Sequence, residues 1–404
     1  MDKNIIVAFT GGLQSSVCLH WLVARKRAKV TAVVAELGQM PPTWELGEYA
    51  VQLGAEGAHV EDCREEFVRE YAFRALRASA VYEQNYLLSG ALTRPLIAAV
   101  MVRLALEEGC RSVALGAVSR SNDQARFRLN VAALDPEIKI IGPDEIPPLS
   151  SRKDAVQYAE EHGIEPMEGI DPELSFDTNL WGSAVGTDPG IGTWEPLPEE
   201  CYQHTVDPIS AAKEPEELTI GFERGNPVSM DGNELAPHEL MERLNERAGR
   251  HGIGRSEVIE DRLAGCKARE VYEAPGATVL MEAHRALEEL TLDYATLQAK
   301  SDSGQRYAEL VYSGGWFSRL REAMDAFVDV VQEDVSGEVR LQLYRGSVRP
   351  TGRRSPNSLF NGNVASRAPR ETNVQLNDKF FPHHRRRMAR TNGHETGKNG
   401  IADE

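Results

Sequence analysis

The chain has 404 residues, 41% hydrophobic, 7% aromatic and 26% charged, the balance of a globular protein with two or three domains. Its 45 Lys and Arg stand against 62 Asp and Glu, a formal net charge of -17. That excludes a broadly basic nucleic-acid face but leaves room for a local anion pocket. Five scattered cysteines, Cys18, Cys63, Cys110, Cys201 and Cys266, point to neither a disulfide framework nor a zinc site.

The N-terminal stretch runs from Met1-Asp2-Lys3-Asn4 straight into Ile5–Phe9, without the long apolar segment and small-residue cleavage site of a secretory signal. No continuous run of about 18 apolar residues occurs. A cytoplasmic protein with no membrane association is expected.

In chain order, short apolar runs at Ile5–Phe9, Val30–Ala35, Ala58–Glu61, Ser112–Ala117 and Ile138–Ile141 predict strands. Helical patterns at Ser15–Arg25, Glu65–Ala80 and Leu92–Glu108 separate them. Continuous apolar strands alternating with helices predict a parallel sheet covered on both faces, with ligands at the strands' carboxyl ends. The loops after Phe9, Ala35 and Ala117 are therefore the places to search.

The texture then changes. Gly186-Thr187-Asp188-Pro189-Gly190-Ile191-Gly192-Thr193 reads as a connecting loop. A hairpin follows over Glu217–Glu223 and Val228–Met230, then helices at Pro237–His251, Thr278–Lys300 and Phe317–Asp334. A last hairpin pairs Glu338–Tyr344 with Ser347–Thr351. The expected class is thus α/β: a parallel-sheet nucleotide-binding domain over 1–168, an α+β domain over 169–362, and a polar tail over 363–404. The tail's His383-His384-Arg385-Arg386-Arg387 reads as part of a solvated end segment.

Chemistry concentrates after the first strand, where Thr10-Gly11-Gly12-Leu13-Gln14-Ser15-Ser16 opens a helix. Two glycines let backbone N–H groups approach an anion, and a helix N-terminus adds partial positive charge. Hydroxyls of Thr10, Ser15 and Ser16 are further donors. No Gly-Lys-Ser/Thr occurs, so this is not a Walker-type loop.

This loop resembles the Ser-Gly-Gly-x-Asp-Ser/Thr signature of the ATP-pyrophosphatase group, and in particular the argininosuccinate synthase family. The resemblance continues through Ala35-x-x-Gly38-Gln39, Tyr82-Glu83-x-x-Tyr86-Leu87-Leu88, Arg94-Pro95-Leu96-Ile97-Ala98 and Asn122-Asp123-Gln124-x-Arg126-Phe127. It extends over Asn179-Leu180-Trp181, His251-Gly252-Ile253-Gly254-Arg255, Val271-Tyr272-Glu273-Ala274-Pro275-Gly276, Ala283–Thr291 and Arg354-Ser355-Pro356. It implies a nucleotide-binding domain, a synthetase domain and a homotetramer. It also implies a ligase that consumes ATP with Mg2+, joins citrulline to aspartate, and releases AMP and pyrophosphate.

Carried over residue by residue, the resemblance implies ATP contacts at Ala8, Phe9, Thr10, Gly11, Gly12, Leu13, Gln14, Ser15, Ser16, Ala35 and Gly116. Citrulline contacts fall on Tyr86, Asn122, Arg126, Ser175, Glu260 and Tyr272, and aspartate contacts on Asn122 and Asp123. Asn122, Asp123 and Arg126 are the expected catalytic group. No metal-ligating residue set is expected. An arginine can grip a carboxylate in a fork, and a glutamate can take an amino group.

Several positions depart from the family pattern. Gln14 stands where the signature has Asp, and a neutral amide contributes no charge to a hard cation. Ser89-Gly90-Ala91 replaces Gly-Thr-Ser, Val118 replaces a Thr, and Ala184 stands where a citrulline-binding Ser is expected. These changes surround the amino-acid pockets, which points to a specialised paralogue with a different amine donor. A catalytically silent nucleotide-binding homologue is the alternative that Gln14 keeps open. A nucleic-acid-modifying relative is opposed by the acidic balance.

Overall fold

The computed structural model describes residues 4–39, 43–117, 121–167, 174–187 and 192–360. The first unit alternates strands and helices: β1 (Asn4–Ala8), α1 (Leu13–Lys26), β2 (Lys29–Glu36), α2 (Thr43–Gln52) and β3 (Gly57–Asp62). A short turn α3 (Arg64–Glu66), a π-helical segment (Phe67–Ala72) and α4 (Phe73–Ala78) follow. Then come α5 (Ser89–Glu107), β4 (Ser112–Leu115), α6 (Asn122–Leu134), β5 (Lys139–Ile141) and α7 (Arg152–His162).

The five strands form a parallel sheet in the order β3-β2-β1-β4-β5. Alternation along β1 splits its side chains. Ile5 and Val7 join the α1/α7 core, whereas Ile6 and Ala8 join the larger core that includes α5. The helix read over Glu65–Ala80 is present but interrupted, because the π-helical turn shifts its buried face. Helix α2, which buries Thr43, Leu46, Gly47 and Ala50 along one face, was not among the helices expected from the sequence. At 19 residues α5 is long and apolar enough to cross a bilayer, but most of it is buried inside the protein.

The second unit holds two antiparallel sheets. One contains β6 (Leu174–Asn179), β7 (Gly182–Thr187), β11 (Arg255–Asp261) and β12 (Lys267–Glu273), in the order β11-β12-β7-β6. The other contains β8 (Glu216–Glu223), β9 (Asn226–Met230), β10 (Asn233–Glu234), β13 (Gly337–Tyr344) and β14 (Ser347–Arg354), in the order β10-β9-β8-β13-β14. Helices α8 (Pro237–Arg250), α9 (Pro275–Thr291), α10 (Tyr294–Tyr312) and α11 (Arg319–Val331) complete it.

Three expectations need correction. The strand β7 runs through Gly186 and Thr187, which had read as loop. The antiparallel sheet β11-β12-β7-β6 was not expected at all. The single helix expected over Thr278–Lys300 is two, because Asp293 caps a new start by accepting the Thr296 N–H at 3.0 Å. The basic run at 383–387 lies outside the described residues.

The two units are sewn together by α10. At Gly304 a Cβ would come within 2.6 Å of the Ala78 carbonyl oxygen, so helix and α4 end touch backbone to backbone. One turn earlier the buried Lys300 ammonium donates to Glu288 at 2.9 Å and to Ser79 Oγ. Glu288 also accepts from Gln332 at 2.6 Å, and Gln332 in turn pairs with His284.

Candidate active site

The nucleotide loop is made almost wholly of backbone. Gly11 adopts φ +73°, and a side chain there would strike Leu46 at 2.4 Å, so glycine is required on both counts. Gly12 is extended and hands the chain to α1. Ser15 and Ser16 are buried, and their hydroxyls donate inward, to the Gly12 and Gly11 carbonyls at 3.1 and 3.3 Å. Ser15 Oγ also accepts the Thr10 N–H at 3.3 Å. These hydroxyls shape the turn, and Thr10, Gly12 and Gln14 are left facing outward.

Neighbouring strands complete this end. Ala35 lies next to last in β2, two residues beyond its pairing with β1, and Ala8, Phe9 and Leu13 are buried beneath the loop. Gly116 follows β4 on the other side. A Cβ at Gly116 would lie 2.4 Å from Ser15 Cα and 2.6 Å from Ser15 N. Only glycine lets the β4 loop close on the first turn of α1.

The loop offers amide and hydroxyl groups and no carboxylate, and among the described residues no group of three or more His, Cys, Asp and Glu could hold a metal ion. This donor set fits a phosphate chain. It does not fit a protein-held Mg2+, which would be carried by the nucleotide's own oxygens.

A second cluster assembles from distant segments. Glu260, buried at the end of β11, accepts from Tyr272 at 2.6 Å and from Tyr312 at 2.8 Å. Tyr312 Oη also accepts from Asn122 Nδ2 at 2.8 Å, and Asn122 Oδ1 accepts the Leu263 N–H at 3.0 Å. Arg126 lies over the Tyr312 ring at 4.5 Å, donates to its carbonyl at 2.7 Å, and pairs with Asp123 at 3.3 Å. Tyr86 stacks on Tyr272 with ring centres 4.1 Å apart, and Tyr82 stacks on Tyr312 at 3.6 Å.

Tyr86 has a further duty. Its hydroxyl accepts the Gly90 and Ala91 N–H groups at 2.9 and 3.2 Å, capping α5. The segment leading to it is held under strain, with positive φ at Glu83, Gln84 and Leu88. Asn179 and Trp181 at the β6–β7 turn pin that segment by donating to the Ser89 and Leu87 carbonyls.

Charges are paired within the cluster. Arg94 Nη2 bridges Asp123 at 2.9 Å and Asp177 at 2.7 Å. Burial alone would raise the Asp123 pKa, but Arg94 and Arg126 outweigh it and hold the carboxyl down to about 2. Burial pushes the Tyr86 phenol up to about 12 and raises Tyr272 and Tyr312 as well, with the Glu260 charge adding to both. All three phenols stay protonated at neutral pH, and Tyr272 and Tyr312 donate to Glu260.

The structure brings Tyr86, Asn122, Asp123, Arg126, Glu260 and Tyr272 together in one cluster, and the eleven positions Ala8–Ser16, Ala35 and Gly116 lie at the carboxyl ends of β1, β2 and β4. Ser175 lies on β6, paired with Gly186; its side chain and Val118 are outside the described residues. Sequence reasoning did not place Tyr312, Arg94 and Asp177 in this cluster. Arg94 stood inside a quoted motif, whereas nothing local marks Tyr312 at the end of α10.

The Arginosuccinate synthase N-terminal HUP domain matches residues 4–165, and the Arginosuccinate synthase C-terminal domain matches residues 174–381. The chain belongs to the argininosuccinate synthase family. It is 44% identical over 370 residues to the argininosuccinate synthase of Carboxydothermus hydrogenoformans, covering 91% of each chain. It is 46% identical over 364 residues to that of Pelotomaculum thermopropionicum, and 43% over 367 residues to that of Roseiflexus sp., each covering 90% of both chains. An argininosuccinate synthase fold accounts for the parallel sheet joined to antiparallel ones.

Proposed function

We propose that this chain is an ATP-dependent C–N ligase of argininosuccinate synthase type. The ureido oxygen of citrulline, or a citrulline-like acceptor, attacks the α-phosphorus of ATP and pyrophosphate leaves. An amine, aspartate in the family reaction, then attacks the resulting isourea carbon, and AMP departs with the ureido oxygen. Adenylylation converts an oxygen that would leave as hydroxide into one that leaves as a phosphate monoester.

The observation that carries this reading is convergence. Residues from the loop before α5, from α6, β11, β12 and the end of α10 meet through hydrogen bonds in one acceptor cluster. Glu260 supplies a buried carboxylate for an α-ammonium group, while Arg126, held by Asp123 and Tyr312, is the cation for an α-carboxylate. The protein's contribution is positioning and charge stabilisation in a fixed frame. Mg2+ would arrive with ATP, Thr10, Gly12 and Gln14 meeting the phosphates.

On the donor side the missing side chain at Gly90 supports a shifted preference, with aspartate used poorly or replaced by another amine. The units 1–168 and 169–362, the tail over 363–404, a homotetramer and a cytoplasmic location complete the proposal. Nucleotide products decide the chemistry: AMP and pyrophosphate are expected with citrulline and an amine, and ADP with orthophosphate overturns the reading.

A further inference from the structure

One carboxylate in the site has no part in the reading above. Asp177 lies directly opposite Ala184 in the β6–β7 pairing, and Ala184 lies opposite Tyr272 in the β7–β12 pairing. The three form one row across the sheet, on one face. Ala184 offers no polar group, so the row's polar ends are Asp177 and Tyr272, about 10 Å apart across two strand spacings.

Two contacts fix the Asp177 carboxylate there, and its other oxygen is left open. Arg94 holds its Oδ2 at 2.7 Å. Gly90 faces the same oxygen, and a Cβ at that position would lie 2.6 Å from Oδ2 and 3.3 Å from Tyr86 Oη. Gly90 sits in a helix with no positive φ, so its backbone does not call for glycine; the approach of Asp177 does. Among the described residues Oδ1 receives no hydrogen bond, and about a third of the side chain is open, 36%.

We propose that Asp177 is a further catalytic residue, accepting the N–H groups of the acceptor's ureido end. The assignment rests on the ligase reading of this site. With the acceptor's head group between Glu260 and Arg126, the five bonds from its α-carbon to its ureido carbon span roughly 6 Å. Hydrogen bonds at both ends then cover the width of the row. Attack of the ureido oxygen on the α-phosphorus forms an O–P bond and breaks the P–O bond to pyrophosphate. It leaves positive charge shared by the two ureido nitrogens, whose protons stay in place. A carboxylate across those N–H bonds binds this cation more tightly than the neutral urea, which is what lowers a barrier. It also turns the ureido oxygen away from Asp177 and toward the nucleotide.

The test compares citrulline with its carbamate analogue, in which an ester-type oxygen replaces the chain N–H, in pyrophosphate release and in calorimetric binding. Wild type should prefer citrulline. Asp177→Asn should lose about 10- to 100-fold in kcat/KM for citrulline, the factor of one charged hydrogen bond, with ATP KM unchanged. The preference over the carbamate should shrink to within about threefold. Gly90→Ala, whose new Cβ expels the carboxylate, should reproduce the loss of preference if Asp177→Asn does not fold. An equal loss for both acceptors, or unchanged citrulline kinetics, overturns the assignment. Citrulline binding to wild type without pyrophosphate release defeats the ligase reading instead, and Asp177 is then judged by the binding ratio. No citrulline binding to wild type overturns both.

Discussion

The two ends of the site are built on opposite principles. The nucleotide end is a local product: seven consecutive residues, two glycines and a helix start make it, and buried serine hydroxyls brace it. The acceptor end is made mostly of side chains, gathered from segments as far apart as Tyr86 and Tyr312. A site made of main chain tolerates exchange of the side chains around it. One made of interlocked phenols, carboxylates and guanidinium groups does not.

That contrast can be broken by experiment, and the largest effect is expected at Glu260. Glu260→Leu leaves the Tyr272 hydroxyl buried without its acceptor, at about 1–3 kcal/mol, and leaves Tyr312 only the Asp261 carbonyl at 3.0 Å. Urea midpoints should fall accordingly, and kcat/KM for citrulline should drop by about 100-fold or more. A mild loss in both would mean that the cluster is not interlocked.

Gly116→Ala tests the main-chain end at its tightest point. A Cβ 2.4 Å from Ser15 Cα must push the β4 loop off α1, a strain of about 1–3 kcal/mol. ATP affinity by calorimetry should weaken about tenfold or more, with citrulline affinity little changed.

A smaller effect follows from acid. Asp123 titrates lower in the folded protein than in the unfolded chain, so its contribution is complete above about pH 4 and is lost as pH falls toward 2. Because its side chain is 34% exposed, the amount is discounted to about 1 kcal/mol. Thermal melts across that range should show a shallower acid decline for Asp123→Asn than for wild type.

The smallest change is predicted at Gln14. If the loop binds phosphate through its backbone, Gln14→Ala should alter ATP affinity by no more than about threefold, less than one strong neutral hydrogen bond. A loss beyond tenfold would mean that the amide is an essential ligand and would erase the contrast.

The same contrast explains what could be read in the sequence. The strands of the parallel sheet announce themselves because both faces are buried, and β1 is accordingly apolar at every position from Ile5 to Ala8. The sheet that carries Glu260 and Tyr272 is silent. Arg255–Asp261 and Lys267–Glu273 are mostly charged, and their few apolar residues, Val258, Ile259, Ala268 and Val271, follow no regular alternation. Hydrophobic periodicity cannot find a strand whose inner face is polar for a purpose. Glu260 and Tyr272 were reached only through the family resemblance, and Asp177 and Tyr312 only through the fold.

The seam at Gly304 constrains how substrates enter. Where two backbones meet with no side chain between them, there is no layer to slide or compress, and the neighbouring Lys300 locks the same spot to Ser79 and Glu288. The units therefore cannot part on this side like the jaws of a hinge without stripping a buried ammonium of its partners. Ser79 is also where the chain leaves α4 for the strained segment carrying Tyr82 and Tyr86. A route into the acceptor pocket therefore has to exist without moving this seam.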